Sequence, residues 1–434
     1  MASTVRTLSV AKETSFGSLD ASNLPSTAGL TFVSIPCEVA PLTPAGDPIF
    51  SERTDTTDGL YNISPELNTV WSAGSRVQHR KGPITFKIDL TTVGASANYT
   101  TNYLGHILGA GFSTQIPSQT SDAATVFSVN EYTATSAPAL ADTGTILGAE
   151  LAGVAEYSAI TDIDASGRVR MSPALSASFT GTPTVRHLQT WFSASRSQTG
   201  AVENTCAFQL NGVDFRTNYF GCVMESVSIS LDNHRLMAEF TFQCAHIIDD
   251  HASASGPVEP AYNSGAAPFF TGCYAVVSDA APSTSTDATA GDSLGRIALD
   301  VQDFTFSVTH TLAEKGHSNS ILGMSGMEIG ATQAECTLSI TEPNTTINDL
   351  FNRTTRQLII GTGPVGNGKG CALMLPSAVL RTDPKKYDTT GEISIQTLTY
   401  SQGRFAGDYE DGGAGVYEAN AGCSPIRIAL GVGS

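Results

Sequence analysis

The chain is poor in charged residues, in basic residues especially, and in long apolar runs. Only 15% of its 434 residues are charged, and 41 Asp and Glu stand against 23 Lys and Arg. The net charge of −18 disfavours tight nucleic-acid binding, which neutralises phosphates with basic side chains. No segment approaches the roughly 20 apolar residues of a membrane span, and the N-terminus lacks the apolar core of a signal peptide. We therefore expect a soluble protein without a cleaved signal.

The sequence also lacks the spacings of common metal and catalytic motifs. Its eight cysteines include no CxxC pair; they lie mostly in apolar strand patterns, where cysteine is typically a small buried hydrophobe. The sequence leaves open whether any of them form disulfides. Residues 162–167 begin like a calcium loop, but Pro173 occupies the position of the required glutamate. Residues 246–251 contain histidines and aspartates that could bind a metal. We interpret them as a solvent-exposed segment where the chain leaves the predicted hairpin. We predict no catalytic residue, no metal and no cofactor.

One glycine-rich stretch is similar to a nucleotide-binding loop. Residues 358–375, LIIGTGPVGNGKGCALML, contain GxGxxG and most of a P-loop. Such loops lead from a strand into a helix, whose N-terminal amides bind phosphate. Here an apolar strand pattern follows, and Gly370 replaces the Ser or Thr that would hold magnesium. We predict a hairpin in which glycines supply positive φ angles and Lys369 is an exposed tip residue.

Period-two alternation, which is typical of half-buried strands, recurs along the chain. In residues 236–244, Leu, Ala, Phe, Phe and Cys alternate with Met, Glu, Thr and Gln after a polar turn. This pattern predicts an antiparallel hairpin with one buried face. Further alternating runs occur at Ile84–Leu90, Val227–Leu231, Phe304–Leu312, Leu338–Ile340 and Ile393–Ile395.

Helix signals are few. Spacings of three and four residues predict two short helices. One is capped by Ser96 and buries Leu104, Ile107 and Leu108; the other is capped by Thr346 and buries Ile347, Leu350 and Phe351.

The order strand, helix, hairpin occurs twice, which indicates an internal duplication. A long insertion interrupts the first copy at about residues 111–200, and an aperiodic Pro/Gly/Ser/Ala-rich stretch at 251–268 joins the copies. We predict a mainly β fold with few short helices. It comprises an N-terminal arm at 1–40, a first domain at 41–252 and a second domain at 253–434.

Several segments resemble the tail tube proteins of long-tailed bacteriophages. The resemblance is carried by DPIFSERTDTTDGLYNISPELNTVW at 47–71, by CAFQLNGVDFRTNYFGCVMESVSISLDNHRLMAEFTFQCAHII at 206–248, and by ECTLSITEPNTTINDLFNRTTRQLIIG at 335–361. Such patterns cover most of the chain outside the arm and the insertion. The resemblance implies two tandem antiparallel β-sandwich or barrel domains, whose hairpins join between subunits into a continuous inner β-barrel.

The resemblance also implies a function and partners. It implies a structural virion protein, not an enzyme, that is assembled in the host cytoplasm and forms the hollow tail tube for DNA ejection. Two tube domains in one chain imply trimeric rings with pseudo-sixfold symmetry, with the insertion decorating the outside. The implied partners are further copies of the chain, the tape measure, terminator and distal tail proteins, and viral DNA that passes without tight binding. No membrane is implied.

Two sets of site residues follow from the resemblance. Acidic side chains facing the lumen would repel DNA phosphates, and the candidates are Glu225, Glu239 and Glu392, with Gln396 beside them. Loops at 53–71 and 314–327 would reach the next ring, with candidate contacts at Arg53, Asp55, Asp58, Glu314, Lys315 and His317.

Two other functions remain open at this point. One is a different virion β-protein, such as a capsid-decorating, tail-terminator or receptor-binding protein. The other is a glycan-active enzyme, which would need paired carboxylates in a cleft.

Overall fold

The structure is a computed structural model that describes the chain in separate ranges. These are residues 7–19, 25–38, 47–51, 76–90, 99–119, 121–127, 129–134, 138, 142–163, 167–176, 183–193, 205–212, 216–232, 235–249, 274–279, 296–316, 324–341, 355–363, 369–382, 387–390, 393–403 and 424–432.

Antiparallel strands dominate the described residues, which confirms the predicted mainly β fold. The first strands are β1 (Thr7–Lys12), β2 (Val33–Ile35), β3 (Cys37–Glu38), β4 (Asp47–Ser51), β5 (Arg76–Asp89) and β6 (Ser113–Gln115). Among them lie the 3₁₀ turns Phe16–Ser18 and Tyr99–Thr101 and the helix α1 (Tyr103–Gly109). Within the described ranges, no helix is long and apolar enough to cross a bilayer.

The middle and second half of the chain continue in strands. The middle strands are β7 (Ser121–Phe127), β8 (Glu131–Ala134), β9 (Ile146–Leu151), β10 (Val154–Ile163), β11 (Arg168–Ser172), β12 (Thr184–Phe192), β13 (Cys206–Asn211), β14 (Arg216–Asp232) and β15 (Arg235–Asp249). The later strands are β16 (Tyr274–Asp279), β17 (Ile297–Ala298), β18 (Val301–Gly316), β19 (Met324–Ile340), β20 (Thr355–Thr362), β21 (Cys371–Leu380), β22 (Tyr387–Thr390), β23 (Ile393–Gln402) and β24 (Arg427–Gly431).

The strands of the two halves pair in the same order. In the first half the order is β2–β1–β13–β14–β15–β5–β4. In the second half it is β17–β16–β20–β21–β23–β19–β18. Thus β1 and β2, which belong to the segment predicted as an arm, lie within the first sheet. The register repeats as well, because the threonine pairs Thr85–Thr241 and Thr337–Thr399 occupy corresponding places.

Residues between α1 and β13 form a ring of six strands, which we call the insert ring. Its strands pair in the circuit β7–β8–β11–β10–β9–β12. Thr184 at the start of β12 lies opposite both Ala123 and Glu150, and this double pairing closes the circuit. The buried residues inside include Tyr132, Leu147, Ile160, Val169 and Val185. Beyond the ring, β12 continues between β6 and β24, while the remaining sheet stays open.

The largest core lies against the buried faces of the two halves, and α1 covers part of it. Leu104, Ile107 and Leu108 are buried there, as predicted. The predicted cap was wrong, because α1 begins after Asn102, whose side-chain oxygen accepts a hydrogen bond from the Leu104 amide at 2.8 Å. Ser96 and the second predicted helix lie outside the described residues.

Most of the predicted strand faces are confirmed, with two corrections. Leu236, Ala238, Phe240 and Phe242 are buried on one face of β15. Leu312 does not continue the buried face of β18, because it packs in another cluster at a place where Gly330 of β19 forms a bulge opposite Thr311 and Leu312. In β23 the buried face holds Gln396, Leu398 and Tyr400, while Ile395 is only half-buried.

Candidate assembly surface

The two halves are joined edge to edge by a strand pairing that we call the joint. Residues Ser226–Ser230 of β14 pair with Thr305–Thr309 of β18 in antiparallel register. The first part of β14 instead pairs with β13 on the same side. A bulge lies between Met224 and Ser226, and bulges increase strand twist, which suits a strand that leaves one sheet and enters another. A continuous sheet β5–β15–β14–β18–β19–β23–β22 results.

This continuous sheet has one buried face and one polar face. At the joint, Val227, Ile229, Phe306 and Val308 are buried in the core. The residues between them point to the opposite side and are half-buried or exposed; they are Ser226, Ser228, Ser230, Thr305, Ser307 and Thr309. We call this hydroxyl-rich side, together with its neighbours on β5, β15, β19 and β23, the polar face. Two hydroxyl pairs hydrogen-bond across its strands, Thr85–Thr241 at 3.1 Å and Thr337–Thr399 at 3.4 Å between Oγ1 atoms.

Two of the three predicted lumen-facing acids lie on the polar face. Glu239 is exposed, and Glu225 is half-buried and accepts a hydrogen bond from Gln243 Nε2 at 2.8 Å. Glu392 lies outside the described residues. Gln396 was wrongly placed beside them, since it is fully buried on the core side of β23.

Sequence reasoning missed two further acids on the polar face. Glu335 is exposed opposite Ser307, and Asp303 is exposed opposite Ser339. The alternation of β19 contained the signal for Glu335, because its neighbours Ala334 and Cys336 are apolar and buried. The alternation of β18 contained the signal for Asp303 as well, because the next residue, Phe304, begins the run of buried residues.

The predicted inter-ring loop at 314–327 is wrong in extent. Glu314 and Lys315 lie in β18 and pair with Met327 and Gly326 of β19, which leaves only 317–323 between the strands. Glu314 forms an ion pair with Lys81 of β5 at 2.8 Å, and the side chains are 48% and 39% exposed. Lys315 forms an ion pair with Glu328. Arg53, Asp55, Asp58 and His317 lie outside the described residues.

At the two ends of the continuous sheet, within the described ranges, β22 pairs only with β23, and the outer side of β5 carries β3 and β4, each of which pairs only with β5. The repeated order makes these edges complementary. β22–β23 repeats the tip of the β14–β15 hairpin, so Tyr387 and Asp388 take the places of Ile229 and Ser230 at one end of the joint. β3 and β4 together correspond to β18, since Cys37 and Asp47 take the places of Val301 and Thr309. The counterparts of residues 305–308 lie outside the described residues.

The insert ring packs against the second half of the chain. Tyr157 of β10 is buried against the glycine hairpin β20–β21, and its Oη donates to the carbonyls of Thr362 and Gly363 at 2.7 and 2.8 Å. A Cβ on Gly361 would lie 2.0 Å from the Tyr157 ring, so only glycine fits there. Burial holds the pKa of Tyr157 well above its usual value.

An ion pair accompanies this contact. Arg296 Nη2 lies 3.2 Å from Glu156 Oε2, with both side chains largely buried, and the guanidinium carbon lies 5.8 Å from the centre of the Tyr274 ring. The insert ring is thus held to the second half by both polar and apolar contacts.

The glycine run forms the predicted hairpin. Its flanking strands are β20 and β21, and Gly363 has a φ of +80°. The prediction for Lys369 was wrong: it is half-buried beside Gly370, which lies under the Tyr157 hydroxyl.

The two sequence stretches with metal-competent side chains show ordinary contacts. Asp162 forms an ion pair with Arg170 at 3.1 Å across the β10–β11 turn, and His246 lies in β15 opposite Phe220. In the part of the chain that the structure describes, no three His, Cys, Asp or Glu side chains are grouped to hold a metal.

One carboxyl is buried at the base of the first half. Glu13 follows β1 and accepts hydrogen bonds from the amides of Gly221 and Gly17 at 3.0 and 3.2 Å, and from the Thr205 hydroxyl. Burial raises the pKa of Glu13 to about 7, although these hydrogen bonds lower it. The carboxyl therefore ties the turn at 16–18 to β14 at a cost in desolvation.

Comparisons with known proteins identify no relative. No protein-family model matches the chain, and no curated protein is significantly similar to it. The joint, the polar face and the two open edges are therefore the observations that bear on function.

Proposed function

We propose that the chain is the subunit of a hollow tube made of stacked rings, the tail tube of a long-tailed bacteriophage. The joint is the observation that carries this proposal. Two sheets with the same strand order already meet edge to edge within one chain, in a register of five residue pairs. Repeating that contact between chains extends one curved sheet around a ring.

The open edges identify the surfaces that meet between subunits. The β22 edge of one copy takes the place of β14, and the edge formed by β3 and β4 in the next copy takes the place of β18. Such a head-to-tail contact closes into a ring when the rotation allows it, and closure removes the exposed edges that otherwise favour aggregation. Because each chain supplies two sheets, three chains complete a ring with pseudo-sixfold symmetry.

In this proposal the polar face lines the lumen. Its serine and threonine hydroxyls are neutral, and Glu225, Glu239, Glu335 and Asp303 add negative charge, which Lys87 opposite Glu239 offsets only in part. A lining of this kind repels phosphate, so that DNA passes without being held. The partners are then further copies of the chain, other tail proteins such as the tape measure, terminator and distal tail proteins, and viral DNA in transit. The role is structural and requires no cofactor.

Electron microscopy of the purified full chain tests the proposal directly. We expect trimeric rings or hollow tubes, with mass measurement giving multiples of three chains. A stable monomer at high concentration, or a closed shell, contradicts it.

A single edge substitution sharpens this test. Thr390 and Ile393 face each other across a two-residue connection, which hairpins close with a hydrogen-bonded pair. Since hydrogen-bonded and non-bonded pairs alternate, the N–H of Tyr387, the counterpart of Ile229 in the joint, points away from β23. Tyr387→Pro removes this donor at the first residue of an edge strand, where proline is tolerated, while Tyr387→Ala keeps it. We expect both variants to fold and only the alanine variant to assemble; equal assembly would exclude this edge as the subunit contact.

A further inference from the structure

Three cysteines lie side by side on the neighbouring strands β13, β14 and β15. Cys206 of β13 is opposite Cys222 of β14, and Cys222 is opposite Cys244 of β15. All three are buried. The sulfur atoms of Cys222 and Cys244 are 2.6 Å apart, whereas the Cys206 sulfur approaches the Cys222 carbonyl oxygen at 3.7 Å. The register therefore places one pair of thiols in direct contact and the third beside it.

The geometry of this pair suits a covalent bond. Directly opposite residues of antiparallel strands have Cα atoms about 4.5 to 5.5 Å apart, which falls within the range that disulfides span. At the corresponding place in the second half Ala378 lies opposite Gln402, so the repeated fold does not itself require two sulfurs here.

We propose that Cys222 and Cys244 are a redox pair that closes into a cross-strand disulfide when the folding chain meets a small-molecule disulfide such as oxidised glutathione. The thiolate of one cysteine attacks the small disulfide, forms a mixed disulfide and releases one glutathione thiolate. The thiolate of the other then attacks the protein sulfur of the mixed disulfide and releases the second. Two protein thiols are oxidised and one glutathione disulfide is reduced to two glutathione thiols, and the two protons lost by the protein thiols pass to the two glutathione thiolates.

The pair closes before the hairpin is buried, for a physical reason. Thiolates are the reacting species in this exchange. In the folded chain, burial raises the pKa of Cys222 and of Cys206 well above the ordinary value, and the Cys244 thiol and the Glu13 carboxyl also face Cys222. The unfolded chain has ordinary thiol pKa values and free access for the small disulfide. This inference does not depend on the proposed tube function.

The test is a refolding experiment on the full chain. Reduced, denatured protein is refolded in oxidised or in reduced glutathione, free thiols are capped, and the peptides are mapped by mass spectrometry. We expect the oxidised sample to contain a peptide pair linked through Cys222 and Cys244, and the reduced sample to lack it. Capping of both cysteines in the oxidised sample, or a link between Cys206 and Cys222 instead, overturns the proposal.

Variants assign the bond without depending on one mutant. Cys206→Ser and the matched control Cys336→Ser, which removes a buried thiol outside this group, should keep the linked pair at the wild-type yield. Cys222→Ser and Cys244→Ser should abolish it. If either of the last two fails to fold, the wild-type peptide map and the Cys206→Ser variant still decide between the possible pairs.

Discussion

The two halves of the molecule share a strand order but differ in what packs against them. In the first half, α1 covers the core, and Glu13 ties the turn at 16–18 to β14. In the second half, the insert ring covers the glycine hairpin through Tyr157. The same sheet thus accepts different covering elements, because pairing depends on the backbone whereas covering depends on individual side chains. Substitutions at these side chains should therefore affect one half and spare the other.

The largest expected effect comes from Gly361, whose counterpart in the first half is the buried Asn211. In Gly361→Ala the new Cβ would lie 2.0 Å from Tyr157 Cδ2, so the ring or the strand must move. Overpacking of this severity costs about 3 kcal/mol, measured as the free energy of unfolding in urea. The control Gly326→Ala meets only Lys315 Cδ at 3.7 Å and should change stability little. Equal losses in both variants would contradict the Tyr157 contact.

The buried carboxyl of the first half should make stability depend on pH. The pKa of Glu13 is raised from 4.5 to about 7 in the folded chain, so the folded state binds the proton more tightly than the unfolded state. Its stabilising contribution is full below pH 4.5 and is lost as the pH rises to 7, by about 3 kcal/mol. We expect the difference in unfolding free energy between wild type and Glu13→Gln to shift by this amount across that window.

A histidine in the second half supplies the control for this pH measurement. Burial lowers the pKa of His310 from 6.5 to about 4, so its contribution is lost as the pH falls through that range, the opposite direction. Subtracting the variant from wild type removes this background. A difference that is flat between pH 4.5 and 7 would show that Glu13 is ionised in the fold at ordinary pH.

The Tyr157 hydroxyl should contribute less to the free energy of unfolding than the packing of its ring does. Tyr157→Phe removes the hydrogen bonds to the Thr362 and Gly363 carbonyls but keeps the packing. Leaving buried acceptors short of a donor costs about 1 to 2 kcal/mol. Hydrogen exchange should speed up in β20 and β21 and stay unchanged in β14 and β15. Uniform acceleration would mean that the insert ring supports both halves equally.

The smallest effect is expected where an ion pair links the halves at the surface. Lys81 and Glu314 are 39% and 48% exposed, and exposed pairs contribute about 0 to 1 kcal/mol. Lys81→Met should therefore lower the midpoint of urea unfolding by an amount that is barely measurable. Adding 1 M salt to wild type should change the midpoint by a similar amount. A loss above about 2 kcal/mol would show that this ion pair, and not the joint alone, holds the halves together.

The sequence predicted the faces of regular strands well and irregular positions poorly. Phe240, Phe242, Val227 and Ile229 are buried as alternation requires, and Glu239 is exposed. Leu312 was misplaced because it packs in a second cluster with Met324 and Met327, at a place where the extra residue Gly330 of β19 interrupts the register.

Lys369 was misplaced for a different reason. The partner that covers this hairpin, Tyr157, lies some 200 residues away in sequence. Local patterns carry no information about such a contact, and the same holds for the strand edges that remain unpaired.

By itself the amino-acid sequence determined the mainly β character, the repeated order of elements and the buried side of most strands, because these follow from local periodicity. Only the tertiary structure decided that β14 pairs with β18, that the insertion closes into a ring on the second half, and that Cys222 touches Cys244. Each of these depends on which distant strand edges meet, and the backbone hydrogen bonds that join edges are the same for every sequence.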